Sequence, residues 1–411
     1  MKILAVSNLY PPHHIGGYEL QCQRMCEGLR GLGHEVFVLT SDHGVSEGAA
    51  SEAGVRRALR IHGMFGHPWL PLMRLQELER HNNRVLRETI REFRPDVVHG
   101  WNFSGLSKSM LWTLQREGRP TAFCVCDHWI ARAAEADVWL KWWNQAGSSP
   151  AQRLFRKGLE ALGYRRRWEA EAPMEPVGKM AFRRAYFCSA ALRELTARAG
   201  FAVEEAAIIR CSVDTRRFAG SPRSTEAPLQ RLLWVGRLHP DKGPMTALRA
   251  MTRLRDKYAG KLSLYGRGEP DYENELKKFV RENDLPVTFH EGTPEEMPRV
   301  YAGHDALLFT SEWLEPFAIT PLEAMASGLP VISTLTGGSA ELFRHGENAL
   351  TYEAGDADDL ARQIVALDRD REMRRRIATQ GQQDVREACA DERVARQTEA
   401  YLEETIRIWK P

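Results

Sequence analysis

At 411 residues the chain exceeds what one hydrophobic core usually serves, and two domains of roughly 200 residues each are expected. An apolar share of 43%, a charged share of 27% and a formal charge of +2 describe a soluble globular protein and exclude global attraction to nucleic acid. Seven cysteines make an odd number without zinc-ligand spacing. Cys22, Cys26, Cys124 and Cys126 lie in apolar-periodic segments, so reduced, packed thiols and a cytoplasmic location are expected.

Met1-Lys2-Ile3-Leu4 passes directly into a strand-like run, and no apolar stretch approaches membrane-spanning length. We therefore expect no signal peptide, and any membrane contact to be peripheral on the inner face. In the first half, strands are read at 2–8, 35–40, 97–100 and 121–126, with helices at 19–32 and before Pro95. The second half repeats the alternation, with strands at 232–235, 262–265, 287–290, 306–309 and 330–333, each followed by a helical pattern. Such alternation predicts parallel sheets covered by helices.

The Gly-, Ser- and Pro-rich stretch 219–228 lacks periodicity and is read as the hinge. The expected domains are thus 1–218 and 219–390. A charged helix over 391–411 is expected to cross back to the first domain. Residues 129–184 break the alternation; they are rich in tryptophan and contain Arg165-Arg166-Arg167, and they are read as a helical insertion.

In open α/β sheets, ligands meet the carboxyl ends of strands, where loop amides and helix N-termini favour anions. After the first strand, Gly16-Gly17 opens a helix: a close backbone approach to an anion, or a plain turn. The strand at 232–235 runs into Gly236-Arg237-Leu238-His239-Pro240-Asp241-Lys242-Gly243. Its two cations suit a diphosphate, with a solvated loop pairing Asp241 as the alternative. After 306–309, Glu315 sits in a loop and Glu323 on the following helix. That spacing suits two separated hydroxyl-bearing parts of one ligand, although Glu323 could equally be an exposed helix residue.

Together these residues resemble glycosyltransferase family 4 over nearly the whole chain. The hallmark is a glutamate, seven residues and a second glutamate, followed by Ala-Met-Ala-x-Gly-x-Pro-Val-Ile, present from Glu315 to Ile332. Gly266-Arg267-Gly268 and Gly337-Gly338-Ser339-Ala340-Glu341 match further loops of the family. The resemblance implies the GT-B fold, two Rossmann-like α/β domains with parallel sheets facing a central cleft, and a retaining transfer without cofactor or metal. A sugar would move from a nucleotide-diphosphate donor, UDP-sugar first and GDP-mannose second, to a glycan or anionic glycolipid.

By the same resemblance Arg237 and Lys242 hold the diphosphate and Glu323 the ribose, while Glu315 with Phe317, Ala318 and Ile319 reads the sugar. Gly16, Gly17 and Gly266 complete the donor site. Two departures stand out. Ala318 replaces a common glycine, which ordinary backbone angles would tolerate. The family's His-Asp-x-Trp appears as Cys126-Asp127-His128-Trp129, leaving His128 or His99 to take the histidine's role. On the acceptor side the candidates are His99, Asp127, Trp129, Arg165, Arg166 and Arg167. Two alternatives accompany this reading: a non-hydrolysing nucleotide-sugar epimerase, and a sugar-nucleotide-binding protein without catalysis.

Overall fold

The computed structural model describes residues 1–45, 52–144, 149–219, 228–255 and 257–409. It forms two compact units, Met1–Ile209 with Ala395–Pro411, and Arg210–Val394. In unit 1, seven parallel strands run β1 (Lys2–Val6), β2 (Glu35–Ser41), β3 (Val55–Leu59), β4 (Val97–Gly100), β5 (Thr121–Val125), β6 (Ala185–Phe187) and β7 (Ala207–Ile208), in the order β3-β2-β1-β4-β5-β6-β7. Central strands of a parallel sheet are covered on both faces and read as unbroken apolar runs. Accordingly Ile3, Leu4, Ala5 and Val6 are all fully buried.

The helices of this unit are α1 (Gly17–Gly31), α2 (Leu72–Phe93), α3 (Ser109–Arg116), α4 (Ala133–Ala136), α5 (Val138–Asn144), α6 (Pro150–Ala161), α7 (Tyr164–Glu171) and α8 (Ala190–Arg198). On α1, Cys22, Met25, Cys26 and Leu29 recur at helical spacing and are buried. The insertion is made of α4 to α7, and its buried Trp139, Trp143 and Trp168 form a core of their own, with Trp139 and Trp143 edge to face at 5.8 Å.

Unit 2 carries β8 (Arg231–Val235), β9 (Lys261–Tyr265), β10 (Val287–His290), β11 (Ala306–Phe309), β12 (Val331–Thr334) and β13 (Leu350–Tyr352), in the parallel order β10-β9-β8-β11-β12-β13. Its helices are α9 (Pro244–Arg253), α10 (Pro270–Glu282), α11 (Met297–Ala302), α12 (Ile319–Ala326), α13 (Ala357–Arg369), α14 (Arg371–Cys389) and α15 (Asp391–Ile408), the last continuing past Val394 into unit 1.

The boundary falls between Ile209 and Arg210, upstream of the stretch read as a hinge; residues 220–227 of that stretch lie outside the described residues. The reason is backbone pairing. Val213 N–H donates to Cys389 O at 2.8 Å, which ties the segment after Ile209 to the end of α14. Within unit 1, the C-terminal part of α15 is held by Tyr401 Oη donating to Ala185 O (2.8 Å), by His34 with Glu399 (2.7 Å) and by Arg184 with Glu404 (2.6 Å).

A polar cluster lies inside unit 1. Ser109 donates to the carboxylate of Glu79, Asn83 Nδ2 donates to Ser109 Oγ at 2.6 Å, and Lys108 N–H donates to Asp137 Oδ2 at 3.2 Å. Burial, helped by the nearby Asp137, lifts Glu79 from its ordinary 4.5 to about 8, whereas burial lowers His62 to about 4 and His99 to about 3. Between those lowered values and 6.5 the unfolded chain holds the extra histidine protons, so the histidine contribution rises with pH. From 4.5 to about 8 the folded chain holds the extra Glu79 proton, so that contribution falls. Of these three groups only Glu79 still contributes above pH 6.5. Urea midpoints are therefore expected to fall from pH 6.5 to 8, and Glu79→Gln should flatten the fall; an equally steep fall in the variant would remove Glu79 as its cause.

Candidate functional site

In unit 2 the strand order reverses between β8 and β11, and the loops leaving their carboxyl ends are stitched together. Thr310 Oγ1 donates to Lys242 O (2.8 Å), and Glu312 N–H donates to Asp241 O (2.8 Å). Thr246 Oγ1 donates to Glu312 Oε1 (2.5 Å). Gly243 supplies the left-handed turn (φ 61°) that ends the loop and starts α9 at Pro244. On the other side, Gly236 N–H donates to Tyr265 O (3.1 Å), and the α-carbon of Gly266 packs so closely that a Cβ would fall on Gly236 O.

These ties place Lys242 Nζ 2.6 Å from Glu315 Oε1 and 5.0 Å from the centre of the Trp313 ring. The Lys242 side chain is 19% exposed and that of Glu315 6%, so the carboxylate is buried and the ammonium half-buried. A second donor, Ser311 Oγ, reaches the same carboxylate oxygen at 2.6 Å. A buried pair is costly unless such further bonds satisfy it. The main chain of Glu315 is fixed as well, because Gly338 N–H donates to Glu315 O at 2.7 Å.

Arg237 lies on the same loop, its carbonyl accepting from His239 N–H (2.8 Å) and its exposed side chain without a hydrogen-bond or ion-pair partner among the described residues. Beyond Glu315 the chain turns through buried Phe317 into α12. The residue before that helix, Ala318, has φ −79° and ψ 131°, angles any residue adopts, and no side chain caps the helix. The amides of its first turn therefore lack an intrahelical or side-chain cap partner. Glu323, half-buried on α12, accepts from Tyr301 Oη at 3.0 Å.

In unit 1, Gly16 and Gly17 open α1, but Gly16 N–H already donates to Glu19 Oε2 at 2.9 Å. Asp127 Oδ1 accepts from His128 N–H at 2.7 Å, and His128 is buried. Three of the acceptor-side candidates are engaged within the fold itself. His99 is fully buried, with Trp101 Nε1 donating to its Nδ1 (3.3 Å) and its Nε2 against Tyr186 Oη (2.8 Å), so neither ring nitrogen is left for a ligand. Trp129 packs inside an aromatic cluster, 5.3 Å from Phe103 and 5.9 Å from Phe182. Arg165 is committed to Glu160 (2.5 Å) and to the face of Trp143 (5.6 Å), whereas Arg166 and Arg167 are exposed. The flat surfaces of Trp139 and Trp143 are likewise consumed by the insertion's own core.

Sequence reasoning did not single out Ser311, Thr246 or Tyr301. Ser311 could have been suspected from its place directly after β11, but Tyr301 reaches Glu323 from another helix, and no local pattern announces that contact.

Two parallel-sheet α/β units with this strand order define the GT-B class of fold. A glycosyl transferase 4-like domain matches residues 16–171, and the domain of glycosyl transferases group 1 matches residues 224–384. The chain belongs to the glycosyltransferases of this family-4 type. Spore coat protein SA of Bacillus subtilis (strain 168) is 27% identical over 173 residues, which is 40% of this chain and 46% of that protein. Thus the chain spans less than half of that relative. Glycogen synthase of Mycobacterium tuberculosis (strain CDC 1551) is 26% identical over 393 residues, 89% of this chain and 86% of the relative. The crystal structure of Anabaena HepE in complex with UDP and glucose shares the fold, with a TM-score of 0.68 at 20% identity, covering 98% of this chain and 99% of that one.

Proposed function

We propose that the chain is a retaining glycosyltransferase that moves a hexosyl group from a UDP-sugar to a hydroxyl of a glycan or anionic glycolipid, with GDP-mannose as the second choice of donor. The observation that carries this reading is the joining of the loops after β8 and β11, which seats Lys242 on Glu315 just before α12 begins. UDP and glucose bound to HepE, of the same fold, support the choice of base.

In this reading Arg237 and Lys242 meet the diphosphate, together with the first-turn amides of α12 and the backbone at Gly266. Glu323 takes the ribose, and Glu315 with Phe317, Ala318 and Ile319 takes the sugar. Gly16, Gly17 and His128 belong to the same reaction, and Asp127 to the acceptor. The bond from the anomeric carbon to the diphosphate oxygen breaks while the acceptor oxygen bonds to that carbon on the same face. The acceptor's proton passes to the departing diphosphate. The two cations stabilise the charge left on the leaving group.

Among the described residues no helix is long and apolar enough to cross a membrane. Peripheral contact at the inner face of the membrane is supported by α6 and its junction with α7, where Leu154, Phe155, Leu162 and Tyr164 are exposed beside Arg166 and Arg167. A panel of sugar nucleotides tests the donor: one of them should raise the melting temperature and release its nucleoside diphosphate when an acceptor is added. If none does either, the assignment fails.

The reaction is expected to proceed without a divalent ion. Of the pair Asp356 and Asp358, the first caps α13 by accepting from Asp359 N–H (2.8 Å), and the second pairs with Arg253 (2.9 Å). Turnover should survive excess EDTA; loss that magnesium or manganese restores would show the opposite.

A further inference from the structure

A cavity of about 490 Å³ in unit 1 is lined by Arg60, Arg80, Arg84, Arg87 and Arg91, with His81, Glu77, Ala170 and Glu171 completing it. Four of the arginines recur along α2 at helical spacing, and the fifth follows β3 directly. The fold builds this wall. Arg60 is clamped through its backbone by Asn82, whose Oδ1 accepts from Arg60 N–H (2.8 Å) and whose Nδ2 donates to Arg60 O (2.9 Å). Arg87 is half-buried and donates to Glu171 O (2.9 Å) and Thr113 Oγ1 (3.3 Å), which joins α2 to α7 and α3.

The charges do not cancel. Glu77 is turned to Arg74 (3.3 Å), Glu171 accepts from Gln76 Nε2 (3.2 Å), and Arg84 meets Glu88 only at 3.9 Å. Arg80 has no partner among the described residues, and the Arg91 side chain only reaches Arg87 O at 3.5 Å. Burial, with Arg116 and Arg91 nearby and Glu117 offsetting part of their effect, lowers the pKa of Arg87. Guanidinium groups gathered in a concavity repel one another, and a ligand rich in anionic oxygens relieves that repulsion while taking forked hydrogen bonds.

We propose that this cavity is a binding site for a phosphate-type oxyanion, separate from the site of sugar transfer. The separation follows from topology: Arg60 leaves the carboxyl end of β3, but β3 is the edge strand of its sheet, two places from β1, whose loop carries Gly16 and Gly17, and Arg91 stands near the end of α2, where the chain enters the amino end of β4. The oxyanion is either a free phosphate compound or the headgroup of an anionic lipid. α7 lines the cavity and its amino end carries exposed Tyr164, Arg166 and Arg167.

The test uses the full chain with inorganic pyrophosphate in one arm and vesicles of phosphatidylglycerol, against phosphatidylcholine, in the other. Hydrogen exchange is followed over α2 and α7, so that any binding at the loop after β8 registers separately. At least one probe should protect α2 and α7. The triple variant Arg80→Ser, Arg84→Ser, Arg91→Ser should weaken that probe's binding by about tenfold or more. Protection by pyrophosphate assigns a free phosphate compound; protection by phosphatidylglycerol alone assigns a lipid headgroup. If the triple variant misfolds, Arg80→Ser alone, which breaks no contact, should still weaken binding. Absence of protection by both probes, or unchanged binding in the folded variants, overturns the proposal.

Discussion

Replacing Lys242 with alanine is expected to lower turnover by about a hundredfold or more, the loss typical of removing one preorganised charge-stabilising group. The same substitution strips the buried Glu315 of its counter-charge, leaving Ser311 Oγ as its remaining side-chain donor at 2.6 Å. Breaking a buried pair from one side costs about 3 kcal/mol or more, so turnover must be referred to the folded fraction. Arg237→Ala separates the two effects. The Arg237 side chain is exposed and makes no bond to lose, so melting should stay unchanged while turnover falls comparably. Near-normal transfer by both folded variants would remove the diphosphate from this loop. A loss confined to Lys242→Ala that disappears once the unfolded fraction is subtracted would reduce the pair to a structural role.

Legibility from sequence follows the range of the interactions concerned. The α/β alternation was readable because β1, β8 and β11 carry continuous apolar runs next to helices with a 3.6-residue period, and both signals are local. Short strands such as β6, β7 and β13 carry too few residues to show a period, and they form by pairing at or next to the edge of a sheet. The loops at the strand ends were readable from glycines and cations, and the backbone angles at Ala318 show why alanine is tolerated there.

Aromatic residues were the least legible. Sequence alone leaves open whether Trp129, Trp139 and Trp143 offer a surface or form a core; they are core in the structure, because burial of a large ring is decided by neighbours far along the chain. His99 follows the same logic: only Tyr186 and Trp101 reveal that both its nitrogens are occupied. The unit boundary moved for a related reason, since the pairing of Val213 with Cys389 joins positions widely separated in sequence.

Gly337→Ala is expected to cripple transfer while leaving both sheets intact. Gly337 sits at φ 56°, and a Cβ there would run into the backbone N and O of Glu315 and the carbonyl carbon of Leu314. The obstacle is main chain, which cannot swing aside as a side chain would, and Gly338 pins the same stretch by donating to Glu315 O (2.7 Å). Relief must come from moving Glu315, and the Lys242 ammonium 2.6 Å from its carboxylate moves with it. A misplacement of about 1 Å in a positioned group costs roughly a hundredfold in rate, and the backbone strain adds about 1–3 kcal/mol of lost stability. Gly346→Ala is the matched control. Its φ is 74°, but nothing lies within 4 Å of an added Cβ, so it carries the left-handed strain without the collision. Both variants should melt earlier than the parent, and only Gly337→Ala should lose turnover. Equal turnover in the two would mean that the approach of Gly337 to Glu315 does not hold the site in register.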